Sequence, residues 1–219
     1  MKNTRLLIFD LDGTLLDTIV DLANAVNFAL RQFNFPEHPV EAYRFMIGNG
    51  INKLIERALP EAHRHADSIS MMRHEFMRHY SRHADNFTRP YPGIGEMLQT
   101  LQNSGFLLGV ASNKMHAATV ELVKHFFPEI NFSLVLGQRD GVPIKPAPDI
   151  LFEIMVAANV DKEETLYIGD SAVDAITAIN ASVPFIGVLW GFRPQSELAQ
   201  AGTTHFVLKP EEILKLLRF

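Results

Sequence analysis

The chain has 219 residues, 47% of them hydrophobic and 21% charged, which suits one large or two small globular units with an ample core. Twenty basic residues stand against 25 acidic ones, and the resulting formal charge of −5 argues against a nucleic-acid partner. There is no cysteine, which excludes disulfides, zinc thiolates and a thiol nucleophile, and no run approaches the ~20 apolar residues of a membrane span. The N-terminal apolar run stops at Asp10, too soon for a signal peptide, so a cytoplasmic location is expected.

Leu6-Leu7-Ile8-Phe9 reads as a short strand buried on both faces, the kind found in parallel sheets. It opens onto Asp10-Leu11-Asp12-Gly13-Thr14, and in an open α/β sheet the carboxyl end of a strand is where chemistry sits. From Leu15 the pattern turns helical: Leu15, Ile19, Leu22, Ala23, Val26, Ala29 and Leu30 recur at three and four. Asn34-Phe35-Pro36 breaks it, Pro39 can open another helix, and Gly48-Asn49-Gly50 interrupts before Ile51, Leu54 and Ile55 resume. Pro60 precedes a long polar helix reaching about Arg82, and no strand is expected between Asp17 and Asn86.

Arg89-Pro90-Tyr91-Pro92-Gly93 punctuates the chain, and beyond it helices and strands alternate. Strands are expected at Phe106–Ala111, Phe132–Leu136, Thr165–Ile168, Phe185–Leu189 and His205–Val207. The helices between them fall near Ile94–Asn103, Lys114–Phe126, Ile150–Ala158 and Ala172–Ala181, with a last one after Pro210. This alternation predicts βαβ units and a parallel, doubly wound sheet that includes the first strand. Residues 15–88 are then a helical domain inserted into an α/β core made of residues 1–14 and 89–219.

Several later strands also end in polar groups: Ser112-Asn113-Lys114 after the second, and Gly169-Asp170-Ser171 with Asp174 after the fourth. Ile144-Lys145-Pro146 enters the helix between them. Singly, Ser112, Asn113 and Ser171 are good helix caps and Lys145 an ordinary lysine. Together they imply a site. Asp10, Asp12 and Asp170 at one sheet edge repel one another, and a hard cation such as Mg²⁺ is the economical remedy. Thr14, Ser112 and backbone N–H groups at helix starts could hold phosphate oxygens, with Lys145 as a compact positive charge. An aspartate is already ionised at neutral pH, so it needs no base to act as nucleophile. A second acid beside it can protonate a leaving alkoxide and then activate water.

Asp10-Leu11-Asp12-Gly13-Thr14-Leu15, Ser112-Asn113, Lys145-Pro146 and Gly169-Asp170-Ser171 through Asp174 resemble the four motifs of haloacid-dehalogenase-superfamily phosphatases, in the same order and across the whole chain. The resemblance implies a Rossmann-like core and a helical cap that closes over the site. It implies Asp10 as the phosphorylated nucleophile and Asp12 as acid/base. The carboxylates of Asp10 and Asp170 and the Asp12 carbonyl would bind Mg²⁺, while Asp174 either ligates the metal or orients Lys145 or a bound water. Thr14, Ser112, Asn113 and Lys145 would hold the phosphoryl group. Asp17-Thr18 with Asp21-Leu22-Ala23, Ile47-Gly48-Asn49-Gly50, Arg57-Ala58-Leu59 and Trp190-Gly191-Phe192-Arg193 further resemble the bacterial phosphoglycolate phosphatases, which implies a small anionic phosphomonoester as substrate.

Other readings remain at this point. Pyrophosphatases and sugar-phosphate phosphatases share parts of these features. A dehalogenase would lack the acid at Asp12, and a β-phosphoglucomutase would carry a histidine where this chain has Leu22. A phosphate-binding regulator would not need every catalytic side chain. In the inserted domain, Gly48, Asn49 and Gly50 are read as a loop whose backbone N–H groups reach the leaving group. His79 and His83, with His74, Arg78 and Arg82, are read as a solvated basic face opposite Met72, Phe76 and Tyr80, and Trp190 and Phe192 as packing residues. The assembly is expected to be a monomer or homodimer.

Overall fold

The computed structural model describes residues 3–217. Its centre is β1 (Leu6–Phe9), whose four side chains are all buried, with alternate residues feeding opposite faces of the sheet. Leu7 and Phe9 pack with α4 (Ile94–Asn103) and α9 (Pro210–Leu216) through Ile94, Leu98, Leu101 and Ile213. Leu6 and Ile8 pack with α6 (Asp149–Ala158) and α7 (Ala172–Ala181) through Leu151, Ile154, Ala178 and Ala181. A strand covered on both faces can be apolar throughout, which is why Leu6–Phe9 shows no polar alternation.

Beside β1 lie β4 (Leu107–Met115) and then β5 (Phe132–Gln138) on one side, and β6 (Thr165–Gly169), β7 (Phe185–Val188) and β8 (Phe206–Val207) on the other. The six-stranded order is β5-β4-β1-β6-β7-β8 and every pairing is parallel. The order reverses direction between β1 and β6, so the carboxyl ends of these two strands form the crevice where such sheets bind ligands. α5 (His116–Phe126) and α8 (Gln195–Gln200) complete the α/β layers.

The long connection from β1 to β4 holds α1 (Ile19–Gln32), α2 (Gly50–Ala58) and α3 (Ala66–His83), with short 3₁₀ turns at Val40–Phe45 and Glu61–His63. These helices share their own apolar cluster, built from Leu22, Val26, Leu30, Tyr43, Leu54, Ile55, Met72, Phe76 and Tyr80. Where the chain leaves and re-enters the sheet, β2 (Leu16–Asp17) pairs antiparallel with β3 (Arg89–Pro90). Asp21 in the first turn of α1 reinforces that junction, its carboxylate accepting from Phe87 N, Thr88 N and Thr88 Oγ1.

Four local expectations are corrected. Helix does not begin at Leu15, because Leu15 N and Leu16 N both bond Leu11 O in a tight turn before the β2 pairing. The long helix begins at Ala66 rather than directly after Pro60, with His65 as its cap. β4 runs four residues beyond Ala111, because Met115 still pairs with Gln138 after an irregularity, so α5 starts at His116. The short helix α8 after Pro194 was not foreseen, its six residues being too few to show a period.

Candidate active site

Strand register brings the acidic motifs together. Phe9 pairs with Val110 on one side and Ile168 on the other, and Asp10 N donates to Ile168 O at 2.9 Å. Asp10 and Asp170, just past β1 and β6, and Ser112 within β4 therefore stand on three adjacent strands within one or two residues of the same level. Asp10, Asp170 and Asp174 each present an oxygen within 4.8 Å of the others, and all three residues are buried. Gly13 is required here. Its φ of +88° lies in the left-handed region, and a side chain there would collide with the Asp170 carboxylate.

Lys145 stands beneath Asp10, 2% exposed, with its ammonium 2.9 Å from Asp10 Oδ1 and 2.7 Å from Asp174 Oδ1. It also donates to Ala111 O and Tyr167 Oη, both at 2.9 Å. Burial opposes its charge, but Asp10 and Asp174 outweigh burial and hold its pKa above the ordinary lysine value. Asp174 is saturated: Oδ1 also accepts from Tyr167 Oη, and Oδ2 accepts from Ser171 N and Ser171 Oγ in a capping box that starts α7. With each oxygen already receiving two donors, its geometry is that of a residue orienting Lys145.

Asp12 has different company. Its Oδ1 accepts from Thr18 Oγ1 at 2.7 Å and from Lys114 Nζ at 3.1 Å, and Oδ2 lies 3.3 Å from the same ammonium. Lys114 is buried and stands 4.7 Å over the ring of Tyr80, a residue of the inserted helix α3. Burial opposes this charge too, and Asp12 outweighs it. The Tyr80 hydroxyl is buried without a hydrogen-bond partner, and burial pushes its pKa up to about 12, so it stays protonated. Lys114 and Tyr80 were not assigned to the site from sequence. The only signal was a lysine directly after Ser112-Asn113, and its partner lies 34 residues before it on another element.

A cavity of about 60 Å³ lies between the sheet edge and the helical insertion. Asp10, Asp12, Ser112, Lys114, Lys145, Asp170 and Arg193 supply its charged and hydroxyl wall, and Leu22, Ile51, Leu54, Phe76 and Phe192 its apolar one. Of the loop read from sequence, Gly48 and Gly50 reach the cavity and Asn49 does not, since its side chain accepts from Arg57. Asn113 lines the wall, but its amide is spent, donating to Gly48 O and Lys145 O and accepting from Lys145 N. Thr14, expected on the phosphate, is fully buried outside the lining, and its carbonyl accepts from Trp190 Nε1 at 2.9 Å. Its N–H closes the turn after the first strand by donating to Leu11 O, and its hydroxyl is buried without a hydrogen-bond partner. On α3, Met72, Phe76 and Tyr80 face inward; Arg78 pairs with Glu75 and lies over Phe28, while the His79 and His83 rings lie 4.5 Å apart, tilted by 40°.

The carboxylates fit a hard divalent cation. Burial, then Asp174, raises Asp10 to about 7 against the pull of Lys145. Burial, then Asp174 and Asp10, raises Asp170 well above the carboxylate range. Lys145 supplies one positive charge against three carboxylates, and the oxygen ligands that remain suit a hard cation.

A parallel sheet carrying buried carboxylates on adjacent strand ends, with a helical insertion over them, defines a hydrolytic α/β enzyme with a cation-ready site. The family model for haloacid dehalogenase-like hydrolases matches residues 7–188, and the chain belongs to that family. It is similar to the phosphoglycolate phosphatase of Haemophilus influenzae, 34% identical over 194 residues that span 86% of this chain and 87% of the relative. It is also 33% identical to that of Neisseria gonorrhoeae over 220 residues, 99% of this chain and 92% of the relative. A provisionally named phosphoglycolate phosphatase from Lactobacillus delbrueckii subsp. bulgaricus has the same fold, with a TM-score of 0.93 at 32% identity over 99% of both chains. Among the described residues, no helix is long and apolar enough to cross a membrane.

Proposed function

We propose that the chain is a Mg²⁺-dependent phosphomonoesterase that acts on 2-phosphoglycolate through an aspartyl-phosphate, with residues 15–88 as a cap over the site. The observation that carries this reading is the division between two carboxylates on one strand end. Asp10 is buried against Lys145, whereas Asp12 leans toward the insertion, held by Thr18 and Lys114. Carboxylates in such unlike surroundings suit unlike roles.

In the first step an Asp10 oxygen bonds to phosphorus as the bond to the leaving oxygen breaks, and Asp12 gives that oxygen its proton. In the second, water passes a proton to Asp12 and attacks phosphorus, and the bond to Asp10 breaks to release phosphate. The Ser112 hydroxyl holds a phosphoryl oxygen, with Asn113 contributing through its backbone because its amide is committed, while Lys145, whose N–H groups go to Ala111 O, Tyr167 Oη and Asp174 Oδ1, sets its charge beside Asp10. Asp174 keeps Lys145 in place. Mg²⁺ held by Asp10, Asp170 and the Asp12 carbonyl would supply the positive charge that offsets the phosphoryl anion.

The substrate reading rests on size and charge. At roughly 10–15 Å³ per water, a 60 Å³ cavity suits a small organic phosphate held beneath the insertion. Beside the apolar lining stand Arg193, the Asp12-paired Lys114 ammonium and the Tyr80 hydroxyl, groups that suit a short carboxylate. Leu22 puts no acid or base where a mutase would need one. The names of the curated relatives point the same way. The test is hydrolysis of 2-phosphoglycolate, pyrophosphate, sugar phosphates and nucleotides by the purified chain, in Mg²⁺ and in EDTA. The expected result is a kcat/KM for phosphoglycolate at least ~100-fold above the others, lost in EDTA. A preference for another class, or full activity in EDTA, contradicts the proposal.

A further inference from the structure

Between β7 and α8 the chain crosses back over the site as Trp190-Gly191-Phe192-Arg193, and each of the four residues makes a different attachment. Trp190 is tied to the turn after β1 through Thr14 O. Gly191 lies so close that a Cβ would overlap both the Asp170 side chain and Gly13 O, so only glycine fits between them. Phe192 N donates to Asp170 Oδ2 at 2.7 Å, while the Phe192 side chain belongs to the apolar cluster of the inserted helices. Arg193 reaches further into the insertion, donating to Ile47 O at 2.8 Å and Phe45 O at 3.3 Å, with its guanidinium over the Phe45 ring. Ile47 directly precedes Gly48, which is itself held by Asn113. Glu197 lies 3.6 Å from Arg193 and completes the support.

One short segment thus grips a buried carboxylate with its backbone and the helical insertion with its side chains. We propose that Phe192 and Arg193 are positioning residues through which closure of the insertion fixes Asp170 for its cation. This rests on the cation-dependent reading above. If the insertion moves away, Phe192 loses its apolar surroundings and Arg193 loses both carbonyl acceptors. The peptide that donates to Asp170 is then no longer held, and the carboxylate turns freely. With the insertion closed, one Asp170 oxygen is occupied by Phe192 N and the other is left oriented for metal. Coupling of this kind is reciprocal, so cation binding favours closure as much as closure favours the cation. Substrate entry through an open insertion and assembly of the metal centre become successive parts of one movement.

The chain's single tryptophan, Trp190, sits in this segment and serves as the probe. The full-length protein is stripped with EDTA and titrated with Mg²⁺, following Trp190 emission and, independently, heat by calorimetry, with no substrate present. Arg193→Ala is expected to weaken Mg²⁺ by at least ~10-fold, the usual consequence of losing a group that supports a ligand. Arg193→Lys, which keeps the charge but loses the planar guanidinium that lies over Phe45 and faces Glu197 with its second nitrogen, falls between. Asn27→Ala is the control, since Asn27 bonds His38 and Tyr43 wholly within the insertion. It should lower the melting temperature yet leave the Mg²⁺ affinity within about twofold, since none of its hydrogen bonds involves Phe192, Arg193 or the carbonyls that Arg193 holds. Should Arg193→Ala fail to fold, Arg193→Lys carries the test. Wild-type affinity in the Arg193 variants, or an equal loss in Asn27→Ala, overturns the proposal alone. Absence of Mg²⁺ binding by the unaltered chain overturns the cation reading and this proposal with it.

Discussion

Replacing Asp10 with asparagine should make the cation-free protein more stable, and the gain should depend on pH. Asp10 is 8% exposed, and burial with Asp174 nearby raises its pKa from 3.8 to about 7. Below pH 4 the group is protonated in both folded and unfolded chains and contributes nothing. Between about 4 and 7 the unfolded chain has lost this proton and the folded chain has not, so stability falls as pH rises. At about 1.4 kcal/mol per pKa unit the loss from this one group reaches roughly 4 kcal/mol and levels off above pH 7. Asparagine resembles the protonated acid in shape and removes the slope, while Lys145 keeps Asp174, Ala111 O and Tyr167 as partners. In EDTA the variant should match wild type near pH 4 and exceed it by about 4 kcal/mol at pH 8, roughly 10 °C in Tm for a chain of this size. Urea unfolding at several pH values measures this. Mg²⁺ should narrow the gap, by stabilising wild type more than the variant. A difference that stays flat with pH, or a less stable variant at pH 8, refutes the assignment of Asp10 as a group strained by uncompensated charge.

Lys114→Met should lower kcat/KM for 2-phosphoglycolate by at least ~30-fold, from loss of a buried charge partner. The loss should be smaller on p-nitrophenyl phosphate, and equal losses would deny Lys114 a part in holding the leaving group. Asp21→Ala removes the acceptor that Phe87 N, Thr88 N and Thr88 Oγ1 share and should cost about 2 kcal/mol, read as a lower urea midpoint; an unchanged midpoint would remove Asp21 from the junction. Gly191→Ala drives a methyl into Asp170 and should abolish Mg²⁺-dependent turnover while the far-ultraviolet circular dichroism stays native. Turnover near wild type would show that the segment yields without disturbing the carboxylate.

The α/β architecture was legible because it is written locally. An unbroken apolar Leu6–Phe9 and the later alternation of helix and strand imply a parallel sheet, and a parallel sheet places the residues after its strands on one edge. Asp10, Asp12, Ser112, Lys145, Asp170 and Asp174 could thus be gathered from sequence alone. The remainder depends on contacts between distant segments. Lys114 has meaning only when Tyr80 is known to lie over it. Phe192 reads as a core aromatic, and nothing local shows that it joins the apolar cluster of the insertion. Thr14 has the right chemistry for a phosphate but is fully buried in a tight turn, closed by hydrogen bonds from Leu15 and Leu16 to Leu11, that no hydrophobic period announces.

The account turns on a covalent bond between phosphorus and Asp10, and borohydride trapping tests it most directly. The protein is quenched in acid during turnover of 2-phosphoglycolate with Mg²⁺, treated with borohydride to reduce any acyl phosphate, and digested for peptide mass spectrometry. The predicted result is homoserine in place of Asp10, dependent on substrate and absent from Asp10→Asn. An unreduced Asp10 throughout turnover, with the reduced residue at another carboxylate or nowhere, would contradict it.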